Sequence, residues 1–214
     1  YNADFDYEVK CVEALAKNGN ILNGNWDQIR EAFLDISIFG LSINRKNQYA
    51  CLTIINGKVT YLPEYKGLIY VMTTQLNVNR VIADTVRDKD KFTWRANPEG
   101  LEFSHEPHLK GSAGEMYAAY AYAVMNDGSI VHVRPMTKEE ILAIKAKAGK
   151  SSYSPWNGPQ ESEMWIKTMV KRLWKYIPKT AQYDNLAALI DKDNRELSPE
   201  LGQSRTKLSQ IKIA

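Results

Sequence analysis

A chain of 214 residues, 44% of them hydrophobic, suits one domain with a loose end, or two small domains at most, and can bury a sizeable core. Its 28 Lys and Arg against 25 Asp and Glu leave a surplus of +3, too small to identify a polyanionic partner, so the placement of the charges has to decide. The two cysteines, Cys11 and Cys51, form no CxxC pair, which argues against a disulfide scaffold or a cysteine-based zinc site and for two free thiols in a reducing compartment.

Val9, Val12 and Ala16 recur at helical spacing and predict a helix over 7–17. A second helix is predicted over 26–39 from Trp26, Ile29, Phe33 and Ile36, with Asn25 as N-cap and Gly40 as stop. Residues 49–55 are rich in apolar and β-branched side chains, Asn56-Gly57 is the preferred two-residue turn, and 58–62 returns, so a hairpin is expected. Pro63 closes that strand and 64–74 reads as a short helix. Strands follow at 80–86, 92–95, 101–105, 117–125 and 130–135, the last two joined by the turn signal Asn126-Asp127-Gly128. Thr137, with Glu140 three residues on, makes a capping box for a helix ending near Ala148-Gly149.

The stretch 150–160 is dense in Ser, Pro and Gly and reads as a loop before an amphipathic helix over 161–176, closed by Pro178. A short apolar stretch (Leu186, Leu189, Ile190) precedes a polar tail from Asp191. The order helices, strands, helices indicates an α+β fold: an antiparallel β-sheet core flanked by helices, with a basic amphipathic C-terminal helix. Residues 1–183 are expected to form the core domain, and 184–214 a short helix with a polar tail.

The helix over 161–176 carries the strongest functional signal. Ile166, Met169, Val170, Leu173 and Ile177 form one face for the core, while Lys167, Lys171 and Lys175 repeat at i, i+4, i+8 beside Arg172. Five cations (Lys167, Lys171, Arg172, Lys175, Lys179) against two acids (Glu161, Glu163) give the segment +3, equal to the surplus of the whole chain. Lysines about 6 Å apart on successive turns roughly track the phosphates of a nucleic-acid strand. A solvated helix face would show the same row, but such helices usually supply i+4 acidic partners, and none stands four residues after Lys167, Lys171 or Lys175. Tyr153, Trp156, Trp165, Trp174 and Tyr176 lie close by; most read as core or loop anchors, and Trp156, between Pro155 and Asn157, is the best candidate for stacking on bases.

Enzyme motifs fare worse. Gly149-Lys150-Ser151 resembles the end of a phosphate-binding loop, but Ile144 stands where the first glycine belongs and a helix precedes it. His105-Glu106-Pro107-His108 cannot place two histidines on one helical face, because Pro107 intervenes. Asp84, Asp88 and Asp90 near Glu102 could form a two-magnesium nuclease cluster, although acids at strand ends and turns more often solvate loops. No apolar run reaches the roughly 20 residues that span a bilayer, and Tyr1-Asn2-Ala3-Asp4 is neither a signal peptide nor an initiator sequence, so a trimmed N-terminus and a cytoplasmic protein are expected.

Taken in order, several short motifs resemble the RecT family of single-strand annealing proteins. They are Phe39-Gly40-Leu41-Ser42, Tyr65-Lys66-Gly67-Leu68-Ile69, and Thr85-Val86-Arg87-Asp88-Lys89-Asp90-Lys91-Phe92. Ser104-His105-Glu106-Pro107, Tyr117-Ala118-Ala119-Tyr120-Ala121 and Met136-Thr137-Lys138-Glu139-Glu140 follow. The most distinctive part comprises Pro155-Trp156, Met164 with Lys167-Thr168, Lys171-Arg172-Leu173 and Lys175-Tyr176-Ile177-Pro178. The resemblance covers roughly residues 30–180, and departs from the family at Glu64, where a glycine is usual, and in the loose segment 43–48.

The resemblance implies ATP-independent binding of single-stranded DNA and annealing of complementary strands in homologous recombination, by a homo-oligomeric ring or helical filament in a bacterial host cell. A phage exonuclease and a host single-strand-binding protein are the protein partners it suggests. No cofactor is required, although magnesium is compatible. Lys167, Thr168, Lys171, Arg172 and Lys175 would line the DNA site, Lys66 and Lys91 would join the same groove, and Phe92 and Trp156 would touch bases or pack. The alternatives are a magnesium-dependent structure-specific nuclease and an oligomeric phage structural protein.

Overall fold

Burial begins with the two N-terminal helices. The structure, a computed structural model, describes residues 5–17, 26–44, 46–55, 58–98, 100–147, 155–179 and 183. In α1 (Phe5–Lys17) Val12 is buried, and in α2 (Trp26–Ile38) Ile29, Ala32 and Ile36 point inward at helical spacing. Helix α2 stops where expected: Gly40 takes the left-handed conformation at φ 62, and the Leu41 amide donates back to the Ile36 carbonyl. The buried carboxylate of Glu8 accepts the Ile43 amide at 3.1 Å, which ties α1 to the chain leaving α2.

The expected hairpin is present as β1 (Ala50–Ile55) and β2 (Lys58–Pro63), antiparallel from Ala50 opposite Pro63 to Ile55 opposite Lys58. Its turn residues, like the expected N-cap of α2 and the polar tail, lie outside the described residues. Helix α3 (Tyr65–Gln75) buries Gly67, Leu68, Val71 and Met72. The glycine has a packing reason: a Cβ there would press into the Tyr49 carbonyl group, with its carbon 2.8 Å away, and lie 3.1 Å from Leu41 Cδ2.

The remaining strands are β3 (Val78–Arg87), β4 (Lys91–Asn97), β5 (Gly100–Glu106), β6 (Met116–Met125) and β7 (Ile130–Thr137), each extending the expected run by one to three residues. They form an antiparallel three-stranded sheet in the order β3-β6-β7 and a separate β4-β5 hairpin. Period-two alternation divides β6 between two cores. Ala119, Ala121 and Ala123 face the main core, and Ala118, Tyr120 and Tyr122 face the hairpin.

On the hairpin side Phe92 stacks on Tyr120 at 5.5 Å, Phe103 lies 5.1 Å from Tyr122, and Trp94 meets His132 edge-on at 5.6 Å. Helix α4 (Lys138–Lys147) starts with the expected capping box: the Thr137 amide donates to Glu140 at 3.0 Å, and the Glu140 amide donates to Thr137 Oγ1 at 3.4 Å. Helix α5 (Glu161–Trp174) lies across β3, β6 and β7 and against α3, where the small alanine side chains of β6 leave room for its large ones. It ends before Lys175, because the Lys175 and Tyr176 amides tighten to the carbonyls of Arg172 and Leu173 ahead of Pro178. The result is the expected α+β architecture, an antiparallel sheet with helices on one face. Among the described residues no helix is long and apolar enough to cross a membrane.

Candidate functional site

Helix α5 presents its charged residues from the margins of a broad buried arc. The expected apolar face is in place: Met169, Val170, Leu173 and Ile177 are buried and Ile166 packs against the core. Trp165 and Trp174, at 1% exposure each, widen that arc on both sides. Lys167 keeps a partly exposed side chain, Lys171 is drawn in to 8% exposure, and Lys175 remains exposed. Arg172, about 100° around the helix from Lys171, turns toward the other flank. There Glu140 feels both Arg134 and Arg172; the Arg134 hydrogen bond, the Thr137 amide and these positive charges hold its carboxyl below the usual range. Thr168 spends its hydroxyl on the Met164 carbonyl one turn back, at 2.8 Å.

The Lys167 flank meets the N-terminus of α3. Lys167 Nζ lies 3.5 Å from Glu64 Oε2, and the Tyr65 hydroxyl donates to Glu163. Burial and the Glu163 carboxylate push the Tyr65 phenol above its ordinary range. Glu64 also accepts the Cys51 thiol at 3.4 Å and donates its backbone amide to the Tyr49 carbonyl at 2.9 Å, so strand β1, helix α3 and helix α5 meet at this residue. Lys66 is exposed, donates to Gln48 Oε1, and stands 6.0 Å from the centre of the Tyr65 ring. Gln48 adopts φ 55, a left-handed conformation that costs a non-glycine residue about 1–2 kcal/mol, and thereby brings its amide to Lys66. Glu163 stands four residues before Lys167 in α5 but accepts the Tyr65 hydroxyl, and the carboxylate facing Lys167 is that of Glu64, 103 residues away.

The other expected site residues lie apart. Lys91 and Phe92 belong to the β4-β5 hairpin on the opposite face of the sheet. Lys91 is exposed and pairs with Glu106 at 2.9 Å, a hydrogen bond that raises its ammonium above the ordinary range. Phe92 is half-buried in the aromatic layer. Trp156 forms part of a short 3-10 turn (Pro155–Asn157) packed against α5 and is 4% exposed, so its ring fills the core instead of standing open to bases. The structure thus places Lys66 beside Gln48 and Tyr65 on α3 and Lys167 beside Glu64 where α5 meets that helix, strings Lys171 and Lys175 along α5, and leaves Lys91 and Phe92 elsewhere. Sequence reasoning missed Gln48, Tyr65 and Glu163; Glu64 was visible there only as a departure from a family pattern.

The acids considered for a nuclease are engaged in local contacts within the strands and turns. Asp84 accepts its neighbour's amide at 2.7 Å, Asp88 accepts the Glu115 amide at 3.0 Å, and Glu102 pairs with Arg95 at 3.7 Å. Asp90 accepts the amides of Arg87 and His108 and faces His105 Nε2 at 3.3 Å, while the far ring nitrogen of His105 meets the Tyr120 hydroxyl at 3.0 Å. Burial pushes the Asp90 carboxyl up, but the two amides and His105 outweigh it and hold it below the ordinary range. Among the described residues no group of three or more His, Cys, Asp or Glu is placed to hold a metal ion.

Comparison with known proteins supplies the remaining constraint. The sequence model of the RecT family matches residues 8–206. Protein RecT of Escherichia coli (strain K12) is 26% identical over 140 residues, covering 63% of this chain and 49% of that protein, so the chain spans about half the length of the curated relative it matches. With the family pattern running through both helical ends and the sheet between them, the chain belongs to the RecT family.

Proposed function

We propose that this chain binds single-stranded DNA and anneals complementary strands in homologous recombination without consuming a nucleotide. The family match over residues 8–206 carries this reading. Lys66 exposed at the start of α3, Lys167 where α5 meets that helix, and Lys175 exposed at the C-terminal end of α5 support it. Cations of this kind grip phosphates and release counterions, whatever the base sequence. A strand held by its backbone leaves its base edges free, and a complementary strand then tests register by pairing. Base stacking at about 1.4 kcal/mol per step drives the reaction, and the protein contributes neutralisation and alignment. No covalent bond of DNA forms or breaks, so neither ATP nor magnesium has a chemical step to perform.

In this proposal several copies act together, as a ring or helical filament that aligns successive basic sites, inside a bacterial host cell. A phage exonuclease would supply the single strands, and a host single-strand-binding protein would be met on them. The test uses two complementary labelled oligonucleotides without ATP and with magnesium chelated. Annealing should be accelerated over the protein-free rate with both strands left intact. Combined replacement of Lys66, Lys167 and Lys175 by Gln should slow it at least tenfold while the circular dichroism stays unchanged, as expected when several phosphate contacts are lost together. Magnesium-dependent cleavage of either strand, or an annealing rate equal to that of the free oligonucleotides, would overturn the reading.

A further inference from the structure

We infer that Glu64 sets the affinity of the basic site by occupying Lys167 in the DNA-free protein, in the position a phosphate takes on binding. The inference rests on the proposed single-strand binding and adds a residue that opposes it. Its basis is placement. Glu64 stands immediately ahead of the first residue of α3, its amide bonded to the Tyr49 carbonyl, and one carboxylate oxygen lies 3.5 Å from Lys167 Nζ. The other oxygen accepts the Cys51 thiol at 3.4 Å, so the carboxylate is aimed at α5 by contacts on two sides.

The Glu64 side chain is 33% exposed and that of Lys167 is 18% exposed, so the pair sits at the rim of the protein, where an incoming phosphate can compete for the ammonium. Glu64 provides no side-chain cap to the amides of α3, so helix capping does not explain its carboxylate. A strand reaching Lys167 has to displace a tethered carboxylate, and the displaced charge then stands beside the phosphate. Both effects weaken binding, and the second acts at any strand length.

The experiment measures the affinity of the full chain for a fluorescent deoxythymidine oligonucleotide at several salt concentrations, for wild type, Glu64→Gln, Glu64→Asp, Lys167→Gln and the double variant Glu64→Gln with Lys167→Gln. Glu64→Gln should bind roughly 3- to 5-fold more tightly, within the range of a single charge contact at a surface. The log–log salt slope should stay close to that of wild type, because Lys167 neutralises the same phosphate and frees the same cation from the DNA in both proteins. Glu64→Asp keeps the net charge but withdraws the carboxylate by one methylene, and should also bind more tightly than wild type. In the Lys167→Gln background the gain from Glu64→Gln should shrink below about 2-fold, since non-additivity marks a direct coupling.

Weaker or unchanged binding by Glu64→Gln, while Lys167→Gln alone weakens it, would refute the Glu64 inference and leave single-strand binding standing. An equal gain with and without Lys167 would also refute it, pointing to net charge alone. Wild-type affinity in Lys167→Gln would overturn the placement of DNA at this junction and the inference with it.

Discussion

Gly67 and Lys171 show how far a single side chain can be constrained in this protein. A Cβ at position 67 would force the α3 backbone away from the Tyr49 carbonyl, and helix α3 carries both Lys66 and the approach to Glu64. Gly67→Ala is therefore expected to lower the unfolding free energy by about 2 kcal/mol, the size typical of overpacking a rigid contact, read as a lower urea midpoint at unchanged slope. An unchanged midpoint would mean that the close approach of α3 to Tyr49 does not exist. Lys171 makes a different point. At 8% exposure its side chain is packed among neighbours, so Lys171→Glu should destabilise the fold by roughly 1–3 kcal/mol, whereas Lys175→Glu on the exposed end should leave the thermal midpoint nearly unchanged. Charge reversal at Lys171 is consequently a poor probe of DNA contact, and conservative changes at Lys66, Lys167 and Lys175 are the informative ones.

Among the elements, the β4-β5 hairpin depends most on a few polar ties. Asp90 fixes both ends of its connection to the sheet by accepting the Arg87 and His108 amides and meeting His105. Because the folded protein holds this carboxyl below the ordinary Asp value of 3.8, its contribution to stability is complete above about pH 5 and is lost as the pH falls through that lowered value. Asp90→Asn should cost about 1–3 kcal/mol at pH 7, with the deficit narrowing as wild type is titrated below the usual Asp range; a deficit constant down to pH 2 would contradict this. Trp94→Ala, which opens the aromatic layer, should cost about 2–4 kcal/mol and loosen amide-exchange protection in β4 and β5 ahead of β6.

The strands themselves were legible in the sequence, because alternation and turn residues are local signals, and so were the capping box of α4 and the inward face of α5. The reach of burial around α5 was not. Helical spacing gives the angle of Lys171 but not how much neighbouring structure wraps it, and a loop dense in polar residues gave no sign that Trp156 would drop into the core. The partner of Lys167 was hidden for the same reason: pairing over a separation of 103 residues leaves no local pattern.

At the scale of the whole molecule, a single main core joins α1, α2, the β1-β2 hairpin, α3, the inner face of the sheet and α5, so the junction of α3 with α5 is built on elements that share one core. A net charge of +3 spread over 214 residues gives little general attraction for nucleic acid, and any strong binding has to come from local clusters. Family membership fixes the ancestry, and the junction of α3 with α5 is where the proposed function puts the phosphate contacts. The measurement that bears most directly on this is the salt dependence of single-stranded oligonucleotide binding by wild type and by the combined Lys66→Gln, Lys167→Gln variant. Affinity should fall linearly in log–log coordinates for wild type, and the variant should bind more weakly with a slope shallower by about 1.4, two contacts at roughly 0.7 each. A slope that the two substitutions leave unchanged, or wild-type binding indifferent to salt, would contradict a phosphate-gripping site at this junction.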